Sequence, residues 1–329
     1  MIPSSNGRGS VSAQAKRAAT VGPRASYGIA LHELAKKDDR VCAVSADLLK
    51  SSGLERFERS FPQRTFNCGI AEQAMIGFAG GLAFEGLMPF TSSFAPFVTM
   101  RALEQIRMAA GYMGLPIKLV GLGSGFGMES LGVSHYGLED IAVLRTIPNV
   151  MVLSPADCLS IGNCLQLMLE YDGPSYLRLT GIPGLAPVYD SEPALKISGV
   201  NQLEVGSDVA LLATGAMVGP ALEARAFLID LGLSVSVYDM YCLNPLNCHE
   251  IIEIATKHGA LVTIEEHFVS GGLGSAVLES LNDQKLQVPL MRLGIGYGYP
   301  KAGSYQYLLA KEGLTPASIA RTVQLKLGT

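Results

Sequence analysis

The sequence predicts an α/β protein built as two doubly wound domains. Three observations carry this. Short β-rich apolar runs alternate with helix-length segments from Val21 onward. The alternation breaks once, over residues 181–201, at Gly181, Pro183, Gly184, Pro187 and Pro193, and then resumes. A chain of 329 residues also has room for two domains at roughly 100–200 residues each. Strands alternating with helices of this length need crossover connections, which make a parallel sheet with helices on both faces. The expected units are residues 21–190 and 195–329, preceded by a tail over 1–20. That tail carries Arg8, Lys16, Arg17 and several Ser without an acid. The composition suits either a targeting segment or a disordered tail, and the tail is the expectation.

In chain order, Ala25–Lys37 has the apolar spacing of an amphipathic helix, and Val41–Ser45 is an uncharged run suited to a buried strand. The turn Asn67-Cys68-Gly69 opens a helix over Ala71–Phe84. Leu87–Pro89 leads into a Ser- and Phe-rich loop, and Phe97–Tyr112 is the next helix. Ile117–Gly121 reads as a strand entering the Gly-rich segment Gly123–Gly127. A helix over Ile141–Arg145, a strand over Val150–Ser154, a helix over Cys158–Glu170 and a strand over Ser175–Leu179 complete the first set. The second set alternates strands at Val209–Thr214, Ser234–Asp239, Leu261–Glu265 and Leu290–Leu293 with helices at Val218–Leu231, His249–His258 and Leu273–Asn282. A last helix, Thr315–Leu327, opens with Thr315 as cap and Pro316 at the first helical position, where a missing N–H leaves nothing unsatisfied.

Composition excludes several classes. With 48% apolar and 16% charged residues, the chain is not disordered throughout. It has 25 Lys+Arg against 29 Asp+Glu, net −4, and no long basic run, so nothing asks for a nucleic-acid partner. The longest uncharged stretch, Gly86–Met100, falls short of the about 18 apolar residues a membrane span requires and contains Pro, Ser and Thr. The six cysteines show no CxxC and no paired zinc spacing. Buried free thiols in a reducing cytoplasm are expected.

Gly123-Ser124-Gly125-Phe126-Gly127 and Gly271-Gly272-Leu273-Gly274 both depart from GxGxxG. There is no GxxxxGK[ST], no Ser flanked by Gly two residues away on both sides, and no HExxH among the five His. What remains is Asn67-Cys68-Gly69-Ile70-Ala71-Glu72-Gln73, which sets a carboxylate in the first turn of a helix. Glu72 can simply complement the helix dipole there, or serve chemistry. Phe94 and Phe97 set two aromatic rings three residues apart, which by itself is ordinary core packing. His135 stands in a loop with Gly132, Ser134 and Gly137, where no packing role is obvious.

At these residues the sequence resembles the transketolases, specifically the C-terminal half that occurs as a separate chain in split members. Gly69–Gln73 (GIAEQ) resembles the family's catalytic-glutamate motif. Ser45-Ala46-Asp47-Leu48 before it and Phe90-Thr91-Ser92-Ser93-Phe94 after it match in order and spacing. So do Ser134–Asp140 with Leu144–Asn149, and, in the second unit, Gly206–Val209, Glu265-Glu266-His267 and Gly271–Gly274. The likeness runs from about residue 21 to the end.

The resemblance implies a pyrimidine-binding domain followed by a transketolase C-terminal domain, with thiamine diphosphate as cofactor and magnesium or another divalent cation beside it. The family binds the diphosphate and metal through a GDG…NN motif that this sequence lacks. A partner chain carrying that motif is therefore expected, in an α2β2 heterotetramer. The resemblance casts Glu72 as the acid at the aminopyrimidine, a task that desolvation of a carboxyl favours. It casts Phe94 and Phe97 as the stacking wall, and Asp47, Leu48 and Ile70 as lining of the cofactor cleft. His135 corresponds to a histidine that contacts substrate and helps move protons.

The departures concern the substrate. A His and an Asp that bind sugar in the family fall here at Gly123 and Leu131. Of the phosphate clamp, Ser51 is kept, the first Arg falls at Pro23 beside Arg24, and the last falls near Thr180-Gly181, with Arg178 on the preceding strand. Arg24 and Ser51 are the expected substrate contacts. Losing an Arg–phosphate pair removes a charge-assisted bidentate contact. Two activities fit: transfer of a two-carbon ketol unit involving an unusual sugar, or acyl transfer from an α-keto acid, as in keto-acid dehydrogenase E1 β subunits. A non-catalytic structural subunit is the third possibility.

Overall fold

The computed structural model describes residues 12–328. Residues 1–11 of the expected tail lie outside the described residues; in the remainder of it a helix begins at Ala13 and runs to Ala35. Ser12 caps it by accepting from the Ala15 N–H at 3.1 Å, and Ala15 is fully buried. The helix kinks at Gly22-Pro23, where Gly22 has φ +79° and a Cβ would stand 2.6 Å from Pro183.

Among the described residues the strands are Val41–Ser45 (β1), Thr65–Asn67 (β2), Met88–Phe94 (β3), Lys118–Ser124 (β4), Met151–Leu153 (β5), Ser175–Thr180 (β6), Asn201–Glu204 (β7), Val209–Ala213 (β8), Val235–Asp239 (β9), Cys242–Asn244 (β10), Ala260–Phe268 (β11) and Leu290–Ile295 (β12). They form two sheets, ordered β10-β5-β6-β4-β3-β1-β2 and β12-β11-β8-β9-β7. Both are parallel apart from one antiparallel edge strand each, β10 and β7, with helices packed on them. The doubly wound α/β class expected from sequence is what forms. Strand β10 comes from the second unit of the chain yet pairs with β5 of the first sheet, so the units share hydrogen bonds. One hydrophobic cluster is likewise continuous across both, from Val44, Met75 and Ile106 to Leu212, Leu261 and Leu273.

Three local differences from the sequence expectation matter. The Ser/Phe-rich stretch is strand β3 rather than a loop, because its hydroxyls find partners inside the core: Tyr27 and Ser92 share a hydrogen bond at 2.8 Å, and Thr91 donates to the Lys118 carbonyl at 3.4 Å. The helix expected over Phe97–Tyr112 forms as two wide π-helical stretches, Phe97–Arg101 and Arg107–Tyr112, around Leu103–Ile106. Helices Glu55–Ser60 and Tyr305–Lys311 and strands β2, β7 and β10 have no counterpart in the sequence pattern.

The join between the units is polar as well as apolar. Arg178 on β6 is fully buried, donates from Nε to Asp140 at 2.9 Å, and reaches the Glu266 carbonyl at 2.8 Å. Glu266 accepts from the Phe126 N–H and from the Tyr305 hydroxyl. His267 donates from Nδ1 to its neighbour's carbonyl and accepts the Ala142 N–H at Nε2, the bonding of a neutral ring. Burial lowers His267 to about 4 and raises Glu266 to about 7. A raised carboxyl holds its proton in the fold at pH values where the unfolded chain has released it. Its contribution is therefore complete below the ordinary value near 4.5 and lost as pH rises through 7. The thermal midpoint of the wild type, measured relative to Glu266→Gln, is expected to fall between pH 5 and pH 8. A constant difference across that range would contradict this.

Candidate active site

Strands β1 and β2 lie on one side and β3 on the other, so the first sheet has its topological switch point between β1 and β3. In open α/β sheets the carboxyl ends of the strands at such a point frame a crevice. The Asn67 side chain ties that crevice together. Its Oδ1 accepts from the Asp47 and Gly69 N–H groups at 3.0 Å each, and its amide reaches the Asp47 carboxylate at 3.3 Å. Asp47 holds φ +61° and Gly69 φ +68°, so the chain turns sharply here and delivers Glu72 as the first residue of the helix Glu72–Phe84.

Glu72 is 2% exposed. Its Oε1 accepts from Ser93 Oγ at 3.0 Å, and its Oε2 accepts from Arg101 Nη1 at 2.7 Å. Next to it stand three rings. Phe94 and Phe97 are 5.9 Å apart edge to face, and the His135 ring lies 5.5 Å from the first and 5.1 Å from the second. His135 Nδ1 shares a hydrogen bond with Ser134 Oγ at 2.9 Å. The Arg101 guanidinium sits 3.8 Å over the Phe97 ring. Glu72, Arg101, Phe97, His135 and Phe94 thus form one contiguous cluster, drawn from three segments at the carboxyl ends of β2, β3 and β4. A buried carboxylate, a flat apolar wall and a titratable imidazole at one crevice can bind a planar heterocycle and handle protons on it.

The other expected residues take no part in these contacts. Asp47 is exposed, Leu48 half-buried with its N–H on Ser45 Oγ at 3.0 Å, and Ile70 is 79% exposed. Arg24 and Ser51 stand on segments that meet, since a Cβ at Gly28 would lie 1.9 Å from the Gly53 carbonyl and one at Gly53 would lie 2.6 Å from that of Arg24. Gly123 lies near the end of β4 at φ +63°, and Leu131 is exposed. Arg178 faces Asp140 rather than the crevice, and Thr180 Oγ1 accepts from the Ala216 N–H at 2.9 Å, a contact with the second unit. Among the described residues no group of three or more His, Cys, Asp or Glu could hold a metal.

Sequence reasoning does not find Ser93 and Arg101 as partners of Glu72, nor Asn67 as the tie. Ser93 and Arg101 lie 21 and 29 residues from Glu72, so no local spacing marks them. The separation of Phe97 from Arg101, one helical turn, is the only available signal.

The family described as transketolase, pyrimidine binding domain, matches residues 20–181, and that described as transketolase, C-terminal domain, matches residues 199–319. The chain is 38% identical to a 6-deoxy-6-sulfo-D-fructose transketolase subunit of Clostridium sp. (strain MSTE9), over 91% of this chain and 92% of that one. It is 37% identical to a putative transketolase C-terminal section of Methanocaldococcus jannaschii, over 92% and 95%. A solved structure described as a split gene transketolase, inactive beta4 tetramer, superposes with TM-score 0.82 at 37% identity, covering 92% of this chain and 96% of that one.

Proposed function

The chain belongs to the transketolase family, whose membership implies thiamine diphosphate, and from this we propose that it is the pyrimidine-side subunit of a two-chain enzyme transferring a two-carbon ketol unit. The observation that carries the proposal is the cluster at the switch point, where buried Glu72 stands beside the Phe94, Phe97 and His135 rings. The residues fit an aminopyrimidine. The Arg101 guanidinium, itself a planar N–C–N group, lies over Phe97 at 3.8 Å while donating to Glu72 at 2.7 Å. The ring therefore accepts a flat partner and the carboxylate a planar N–H donor at the same place.

When bound, thiamine diphosphate supplies the nucleophilic carbon and electron sink of the reaction. The chain's own residues do the rest. Glu72 would hold a proton for a nitrogen of the bound ring, with Ser93 fixing its other oxygen. Phe94 and Phe97 orient the ring, a stack contributing roughly 0.5–1.5 kcal/mol beyond burial. Asp47, Leu48 and Ile70 line the cleft, His135 moves a proton at the substrate, and Arg24 and Ser51 receive its far end. The likeness to a 6-deoxy-6-sulfo-D-fructose transketolase subunit supports a ketose donor. Leu131 and Thr180 in place of sugar- and phosphate-binding side chains support a donor other than an ordinary pentose phosphate. A donor panel separates ketol from acyl transfer: aldehyde released from ketoses supports the proposal, and carbon dioxide released from pyruvate with no turnover of ketoses overturns it.

The proposal includes a partner that binds the diphosphate and magnesium. Ile70, Phe84, Tyr112 and Met113 are exposed around the helices Glu72–Phe84 and Arg107–Tyr112, Phe84 by 73% and Tyr112 by 81%. Phe78, Phe84, Met108 and Met113 line an open groove there. Contiguous apolar surface of this kind marks an interaction site. A tagged chain is expected to recover a stoichiometric partner carrying GDG…NN, and Phe84→Glu with Met113→Glu is expected to lose it, whereas Tyr307→Glu, in the second unit, retains it. Recovery of the wild-type chain alone would remove the two-chain assignment.

A further inference from the structure

Arg101 is the one member of the cluster to which the proposed chemistry gives no task. It ends the wide π-helical stretch Phe97–Arg101, is 44% exposed, and still directs its guanidinium inward onto both Glu72 and Phe97. Glu72 Oε1 is engaged by Ser93, so Oε2 is the acceptor open to a second partner, and Arg101 has it.

We infer that Arg101 is a built-in place-holder for the aminopyrimidine, occupying the Phe97 face and Glu72 Oε2 until the cofactor's ring displaces it toward solvent. The inference rests on the assignment of Glu72 and Phe97 to the pyrimidine site. Three physical points support it. A guanidinium and the amidine edge of an aminopyrimidine have the same planar N–C–N outline, and Arg is the side chain that stacks and donates from such a plane. One ring face covered at 3.8 Å has no room for a second flat group. A buried carboxylate without a partner is strongly destabilising, so a residue that keeps Glu72 paired before the cofactor arrives has a defined purpose. Arg101 can also leave: it is partly exposed, and wide helical turns of this type occur where a helix departs from its regular ladder.

A place-holder competes with the ligand, so the apparent dissociation constant rises as the fraction of chains with an open site falls. Thiamine, which carries the aminopyrimidine without the diphosphate, is the probe, titrated into the full-length chain and followed by saturation-transfer NMR. Arg101→Gln, which keeps an N–H donor for Glu72, is expected to bind thiamine about tenfold tighter than wild type, corresponding to ~1.4 kcal/mol. Unchanged or weaker binding by Arg101→Gln, or none, overturns the inference. Glu72→Ala in wild-type and Arg101→Gln backgrounds tells the two possible failures apart. If Glu72→Ala weakens thiamine binding while Arg101→Gln brings no gain, only the place-holder fails. If Glu72→Ala changes nothing in either background, the pyrimidine site itself is misassigned.

Discussion

Glu72→Gln is expected to lower turnover of the assembled enzyme by about 10²–10⁴-fold, the usual contribution of one positioned acid or base, with the fold and the partner retained. The substitution preserves shape. Ser93 and Arg101 both donate to the carboxylate in the wild type, at 3.0 and 2.7 Å. The amide oxygen of Gln still accepts from Arg101, and its NH2 meets the Ser93 hydroxyl, which can turn to accept. What Gln cannot do is hold and return a proton. Steady-state rates on the reconstituted complex, with circular dichroism and size exclusion on the same samples, check this. Wild-type turnover in a properly assembled Glu72→Gln complex would remove Glu72 from the chemistry and favour a structural role for the whole subunit.

Asp140→Asn is expected to destabilise the chain by about 3–5 kcal/mol, because it leaves the Arg178 charge buried without its counter-ion. Arg178 is fully buried and Asp140 is 1% exposed, and their contact at 2.9 Å is reinforced by the Tyr176 hydroxyl on Asp140 Oδ2 at 2.7 Å. Arg178 also holds the Gly137 and Glu266 carbonyls at 3.0 and 2.8 Å, so losing its counter-ion loosens the His135 loop and the second unit together. At roughly 2–4 °C per kcal/mol, the thermal midpoint should drop by roughly 6–20 °C. Replacing both partners, Asp140→Leu with Arg178→Met, should recover most of the loss, since a buried pair exchanged for apolar residues is often neutral. A shift of about 2 °C or less in Asp140→Asn would show that Arg178 is neutralised elsewhere.

Features that rest on neighbouring residues are legible in the amino-acid order alone. The uncharged run Val41–Ser45 is strand β1 over that same span. Thr315 caps the last helix by accepting from the Ser318 N–H, with Pro316 at the first helical position. Glu72 opens its helix, one residue after the expected start. These depend on cap chemistry, on φ restriction and on the period of apolar residues, all of which act within a few residues. Strand β3 has the composition of a loop because Thr91, Ser92 and Ser93 are loop formers by local preference. Only Tyr27, the Lys118 carbonyl and Glu72 make a buried strand of them. Strand β10 leaves no mark in the sequence, since three residues carry no period and its partner β5 belongs to the other unit.

The same division runs through the site. Local sequence sets the α/β class, the residues able to bind a planar ring and handle its protons, and their order along the chain. The strand order of the first sheet brings Glu72, Phe94, Phe97 and His135 to one crevice, sets Arg178 in a buried pair with Asp140, and places Arg101 on Glu72. The difference lies in distance along the chain. Propensities and caps act within a turn or two, whereas Arg101 reaches Glu72 across 29 residues and Arg178 reaches Asp140 across 38, contacts that exist only once the strands of the first sheet have assembled.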